Sequence, residues 1–389
     1  MQPTFHRDRF TWLAYLALAV YGYFLNILGP ITPFLRTKLK LSYTVSSFHF
    51  TAFAIGILLV GLGGHLVIQR LGRPRSLWAG LFGMSLGSLL LIVGKSPLVT
   101  IAASFLMGLI GSLILAIVPA ALSDRHGELK SVALTEANVI ASLFATVAPL
   151  LVGWFATSIG WQWALGVMAC VPVMMFPGLG KTSSEAGMTG TFGTRHTNRP
   201  LPALFWVYWL GIVLGVSVEF CMVFWSADYM EQVLGLAKAD AARAVSIFLA
   251  AMILGRLLGS RLVQRFSTRT VVTGSILVAG IGFLLFWNAP SIIGGLLGLF
   301  ITGLGVANFY PLILSLAIGA ANGETTQAGA RATLASGTAI LILPLALGSL
   351  ADSIGIHQAY GIVIILLTGI VLIQLVAERI SLAQDIVPE

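Results

Sequence analysis

Charge is the scarcest commodity in this chain. Of its 389 residues only 9% are Asp, Glu, Lys or Arg, while 57% are hydrophobic. A soluble domain carries roughly 25% charged residues. No aqueous core hides that much apolar surface, so a water-soluble fold is excluded and lipid is the expected solvent. Cysteine is nearly absent as well. Cys170 and Cys221 both lie in apolar runs, and two such residues build neither a disulfide framework nor a thiolate metal site. The histidines (His6, His49, His65, His126, His196 and His357) are scattered rather than clustered. No metal site and no cofactor are expected from them, which argues against a multi-spanning enzyme. The phosphate-cradling pattern Gly-x-x-x-x-Gly-Lys is missing, so ATP is not the expected energy source. A cleavable signal peptide is not expected either. His6-Arg7-Asp8-Arg9 precedes the apolar stretch Trp12 to Pro33, and no small-residue cleavage site follows it.

What the chain has instead is apolar length. Twelve segments stand out, at roughly 12–33, 45–68, 77–94, 97–121, 132–156, 161–178, 204–227, 243–263, 270–287, 292–318, 332–351 and 358–377. Each is near the length of a helix that crosses a bilayer core. Helix is the required form, because backbone polar groups in hydrocarbon must pair within their own segment. The 43 glycines and 15 prolines suit membrane helices, where small residues let backbones approach closely.

The segments repeat at an offset of 195 residues. Pro149-Leu150, Gly153, Ala156, Ser158-Ile159-Gly160 and Ala164 recur as Pro344-Leu345, Gly348, Ala351, Ser353-Ile354-Gly355 and Ala359. Gly64 and Gln69-Arg70 recur as Gly259 and Gln264-Arg265. The expected fold is therefore an all-α membrane protein of 12 transmembrane helices, built as two parallel six-helix pseudo-repeats. Its expected parts are an N-terminal half over 1–178, a linker over 179–203 holding the polar stretch Gly180 to Pro202, and a C-terminal half over 204–389.

The formal net charge is +8, yet nucleic acid is not an expected partner, because the cations sit in short loops beside apolar segments. With the N-terminus inside, fourteen Lys and Arg fall on the cytoplasmic side and six outside, while Arg256 and Arg331 fall within spans. The excess places both termini in the cytoplasm of a bacterial inner-membrane protein. Arg36, Lys38 and Lys40 go against that bias locally.

Two parallel six-helix halves joined by a cytoplasmic linker resemble the major facilitator superfamily (MFS) over essentially the whole chain. The most specific likeness lies between helices 2 and 3, where the family pattern is G-x-x-x-D-R-x-G-R. Gly64 to Arg73 supplies Arg70-x-Gly72-Arg73, with Gln69 in place of the acid and the glycine one place early. The second copy, Gly259 to Arg265, also has an amide, Gln264, at that place. In the family the acid helps latch the cytoplasmic side. Gln accepts a hydrogen bond from a helix N-terminus but brings no charge to its dipole, so a weaker latch is expected. Ala148-Pro149 with Gly153 partly matches a helix 5 motif of drug–proton exchangers, but it recurs at Pro344 and Gly348 and is read as structural. The resemblance implies alternating access around a site lined by helices 1, 4, 7 and 10, and parallel repeats independently place substrate near the midplane.

Charges inside spans are costly and functional by default. Glu219 lies near the middle of helix 7 and is the candidate proton or substrate carboxylate. Asn26, at roughly the equivalent place on helix 1, is its polar counterpart. Tyr21, Trp225, Asn308 and Tyr310 complete an expected pocket of aromatic walls and few polar groups, with Pro311 loosening helix 10. The resemblance places helices 5 and 8 side by side, so Glu136 and Arg256 are the expected gating pair, made in one state and broken in another; a static buried ion pair is the alternative, since an unpaired charge there would be expensive. Arg331 stands where Glu136 stands in the first half, either capping helix 2 near Gln69 or snorkelling outwards. Gln69, Arg70, Arg73, Gln264 and Arg265 are further candidates for gating or coupling. His49 and Asp228 are a candidate outer proton-entry pair. The function expected is proton-coupled secondary transport of a small organic solute by a monomer in the lipid bilayer, with multidrug or metabolite efflux by antiport as the alternative. A transporter-like sensor would carry a long soluble extension, and the termini here are short.

Overall fold

The structure is a computed structural model that describes residues 5–180, 200–322 and 324–386. Most of the expected linker, with Lys181, Arg195 and Arg199, lies outside these residues. The described chain forms two compact units. One holds the residues up to 180 together with Lys238–Ser246, and the other holds 200–237 and everything from 247 onwards.

The first unit contains α1 (Arg9–Leu39), α2 (Tyr43–Leu71), α3 (Arg73–Val93), α4 (Pro97–His126), α5 (Lys130–Ser158) and α6 (Gln162–Leu179), with a single 3-10 turn, Gly127–Leu129, between α4 and α5. The second contains α7 (Ala203–Gln232), most of α8 (Lys238–Leu262), α9 (Thr268–Trp287), α10 (Ile292–Val306), α11 (Phe309–Gly319), α12 (Thr325–Ile354), the one-turn α13 (Ile356–Ala359) and α14 (Ile362–Ile386). Among the described residues, eleven helical runs are long and apolar enough to cross a membrane. One of them, Pro97–Ser158, contains two helices, α4 and α5, which brings the crossings to the expected twelve.

Local chemistry sets the ends. Asp8 caps α1 by accepting from the Thr11 N–H at 2.8 Å, and Ser42, Ser267 and Ser291 cap α2, α9 and α10 in the same way. Gly72, at φ 80°, ends α2 and opens α3; a side chain there would strain the backbone. The helices outrun the apolar segments. α1 continues to Leu39, so Arg36 and Lys38 occupy its last turn rather than a loop, where cations meet the negative end of the helix dipole. Helix 10 is split where Pro311, lacking an N–H, leaves the Ala307 carbonyl without its helical donor.

Inside each unit the repeat is physical. On α4, a Cβ at Gly108 would collide with the Phe53 carbonyl of α2; on α10, a Cβ at Gly303 would meet the Phe248 carbonyl of α8 at 2.6 Å. Phe53 and Phe248, like Gly108 and Gly303, are 195 residues apart. Glycine is needed at both crossings because backbone runs directly against backbone. α1 and α7 are the most buried of the candidate spanning helices among the described residues, each 72% buried over its apolar window. The outer faces carry bare hydrophobics such as Leu98 and Met174, both 78% exposed, which only a lipid solvent accommodates.

Candidate functional site

In the second unit Glu219 sits midway along α7, in the run Gly215-Val216-Ser217-Val218-Glu219-Phe220. Its immediate neighbours Val218 and Phe220 are buried, whereas Glu219 keeps part of its surface exposed. Arg256 of α8 and the Tyr310 hydroxyl of α11 are within electrostatic reach of the carboxyl group. Tyr310 in turn meets the hydroxyl of Ser336 on α12. Four helices thus bring an acid, a base and two hydroxyls towards one another. Such a set can bind a proton and exchange it against a neighbouring cation.

The break at Pro311 separates two residues expected to act together. Tyr310 faces Ser336, but Asn308 turns the other way. Its amide donates to Ser275 Oγ on α9 at 3.3 Å, and a Cβ at Gly259 would collide with its side-chain oxygen. Asn308 is therefore a packing residue at the crossing of α8 and α9, because at a broken helix the register no longer keeps neighbours on one face. Trp225 is also reassigned. It is fully buried and its indole N–H donates to the Pro344 carbonyl at 3.0 Å, which makes it a strut between α7 and α12. Arg331 is exposed, and its carbonyl accepts from Trp209 Nε1 at 2.8 Å. Gln264 and Arg265 lie in the exposed turn after α8.

The first unit gathers charge differently. Glu136 has a partner that the sequence did not suggest: Arg7, which donates to both of its carboxylate oxygens at 2.6 and 2.8 Å, while the Tyr15 hydroxyl donates to it at 3.1 Å. Glu136 therefore has an ionic partner within its own unit. Beside this pair Arg125 holds Asp8 at 2.5 Å, and Thr11 contacts both Asp8 and His126. Partial burial opposes ionisation of Asp8, but the hydrogen bonds from Thr11 and the Arg125 guanidinium outweigh it and hold its pKa below the ordinary value. Arg73 of the Arg-x-Gly-Arg motif is buried and pairs with Asp124 of α4 at 2.6 Å; Gln69 and Arg70 are exposed. The motif therefore retains an acid partner, taken from α4 instead of from its own loop.

On α1, Tyr21 is buried against Phe53 with its hydroxyl beside Ser112. Asn26 gives its amide N–H to Gly22 of its own helix at 2.8 Å, leaving its amide oxygen for another partner. His49 is buried and bonded to Ser46 and Thr100 within the first unit, so its ring is committed locally rather than to Asp228. The first turns of α8 also belong to this unit. Arg243 donates to the Gly153 carbonyl at 2.8 Å and to Thr157 at 3.1 Å, Ser246 donates to the Thr146 carbonyl at 2.7 Å, and Lys238 reaches Thr37. Gly153 is thus explained by packing: a Cβ there would run into Arg243 and the Ala239 carbonyl. Arg7, Tyr15, Asp124 and Ser336 were missed because nothing local marks them; Arg7 and Glu136 are 129 residues apart in sequence.

These units define the class: a multi-pass, all-α membrane protein of two repeated six-helix bodies with a titratable group on one of its two most buried helices. The family model of the major facilitator superfamily matches residues 14–243 and again 207–381, and the chain belongs to that superfamily. An uncharacterized MFS-type transporter of Yersinia pestis is 30% identical over 169 residues, 42% of this chain and 43% of that protein; the match thus spans less than half of that relative. Among solved structures, a bacterial homologue of the human lysosomal transporter Spinster, in an inward-facing and occupied conformation, superposes with a TM-score of 0.79 at 13% identity, covering 97% of this chain and 98% of that one. The nucleoside transporter NupG follows with a TM-score of 0.71 at 14% identity, covering 95% and 98%. At such identities the likeness is one of fold.

Proposed function

We propose that the protein is a proton-coupled secondary transporter of a small organic solute, working by alternating access in the bacterial inner membrane with both termini in the cytoplasm. The observation that carries this reading is Glu219: an acid in the middle of a spanning helix, within reach of one cation and one phenol. A carboxyl group placed there is expensive unless it works. Protonation releases Arg256 from its electrostatic partner and deprotonation restores it. Membership of a transporter superfamily supports transport over catalysis. The small number of polar groups around Glu219 favours an amphiphilic or modestly polar solute.

The test is transport in vesicles. A thermal-shift panel of sugars, nucleosides, organic acids, amino acids and cationic amphiphiles identifies a solute that binds the native state. Its movement is then followed under an imposed pH gradient. Wild type should move the solute with the gradient, and Glu219→Gln should bind or insert normally but lose coupling. Full gradient-driven transport by Glu219→Gln would overturn the proton role. The sign of the flux relative to the gradient separates symport from antiport.

A further inference from the structure

The offset of 195 residues implies that each seam between helices in one unit recurs in the other, and one seam does not. In the first unit α3 and α6 are closed by aromatic rings. Trp78 meets Phe176 edge-on with centroids 4.9 Å apart, and Phe82 lies 5.7 Å from the same ring. The equivalent positions on α9 and α14 are Thr273, Leu277 and Val371. Three rings have become three smaller side chains, and an open groove of about 630 Å³ lies there, lined by those residues together with Arg269, Gln374 and Glu378.

The groove is not merely apolar. The side-chain nitrogen of Gln374 is buried and has no hydrogen-bond partner. An amide left so in hydrocarbon is costly until it finds an acceptor, and Gln374 lines the groove. Arg269, in the first turn of α9, and Glu378, towards the end of α14, both border the groove. Among the described residues neither side chain makes an ion pair, with the other or with anything else. Two opposite charges on one groove, each without a counter-charge, fit a ligand that carries both signs.

We propose that the α9–α14 groove binds a glycerophospholipid whose headgroup holds a phosphate and a protonated primary amine. Arg269 takes the phosphate, Glu378 takes the ammonium, the Gln374 side chain turns outward to donate its N–H to an ester carbonyl, and one acyl chain lies along Leu277 and Val371. The chemistry selects this headgroup. A purely anionic lipid leaves Glu378 beside negative charge, and a quaternary amine has no N–H to give it. The site is separate from Glu219 and does not depend on the transport reading.

The experiment uses the full-length protein in phosphatidylglycerol nanodiscs doped with equal amounts of dioleoylphosphatidylethanolamine and dioleoylphosphatidylcholine, with retained lipid counted after extraction in mild detergent. Wild type should retain phosphatidylethanolamine at least fivefold over its share of the mixture. Thr273→Trp with Val371→Phe restores the aromatic filling of the other unit and should bring retention down to that share. Glu378→Gln, a surface change that leaves the groove's shape intact, should keep lipid but lose the discrimination between the two amines. Equal retention by wild type and the filled variant would overturn the site. Retention of phosphatidylcholine or phosphatidylglycerol in preference, or discrimination that survives Glu378→Gln, would overturn the assigned occupant.

Discussion

The two six-helix halves have the same backbone plan and opposite habits with charge. In the first, three ion pairs stand at one end: Arg7 with Glu136, Asp8 with Arg125, and Arg73 with Asp124. Most of these pairs are partly exposed, the kind of ion pair worth about 0–1 kcal/mol. In the second, the acid has moved to the middle of α7, and Arg256 and Tyr310 come towards it from two other helices. The scaffold positions agree, as at Gly108 and Gly303. The working positions disagree: at the offset of 195, Glu219 stands where the first half has Phe24, with Asn26 only roughly equivalent. A duplicated frame supplies the packing twice, so one copy is free to place a costly charge where the other has an apolar ring.

The sharpest way to break this comparison is at Glu219. Glu219→Gln should reduce gradient-driven transport at least 100-fold, whereas Asn26→Ala in the other half should cost only a few fold. Equal losses in vesicle assays would mean that the asymmetry has no functional meaning. The shared crossings come next. Gly108→Leu and Gly303→Leu should each destabilise by about 3 kcal/mol or more, at the upper end of what overpacking costs, and by similar amounts. A thermal midpoint that falls for only one of them would show that the frame is not truly repeated.

The seams differ by less. Trp78→Ala should cost about 3 kcal/mol by emptying a filled contact, while Thr273→Trp should be close to neutral because its ring enters space already open; unfolding curves of the two variants decide it. Glu136→Gln should cost about 1 kcal/mol or less in the same assay, since its pair with Arg7 is partly exposed. The smallest effect is at Asp8. Its folded pKa lies below the ordinary 3.8, so its ionised form stabilises the fold above that value, and the contribution fades as pH falls through the folded pKa. Asp8→Asn should therefore lower stability by about 0.5 kcal/mol near neutral pH and by nothing measurable in strong acid. A loss that persists in acid would assign the effect to packing.

Much of the architecture was legible in advance. The apolar segments marked the crossings, and the offset of 195 residues aligned the two halves before any contact was known. Glu219, Arg256 and Tyr310 were singled out from their cost or their kink, and the structure brings them together. Asn308 and Trp225 were drawn into the same pocket and lie elsewhere. Their type was right, but the break before Pro311 turns Asn308 towards Ser275, and the Pro344 carbonyl captures Trp225. Glu136 was expected to pair with Arg256, and the structure gives it Arg7 and Tyr15 as partners inside its own unit.

The chain by itself determined its solvent, its helices and its twofold plan, because these follow from hydrocarbon burial and from backbone bonds made within four residues. Tertiary structure alone decided which polar groups meet. A hydrogen bond or ion pair across more than a hundred residues depends on helix rotation and crossing, and period and composition carry no record of either. The same holds for the groove between α9 and α14, which exists only because three positions on two separate helices became small together.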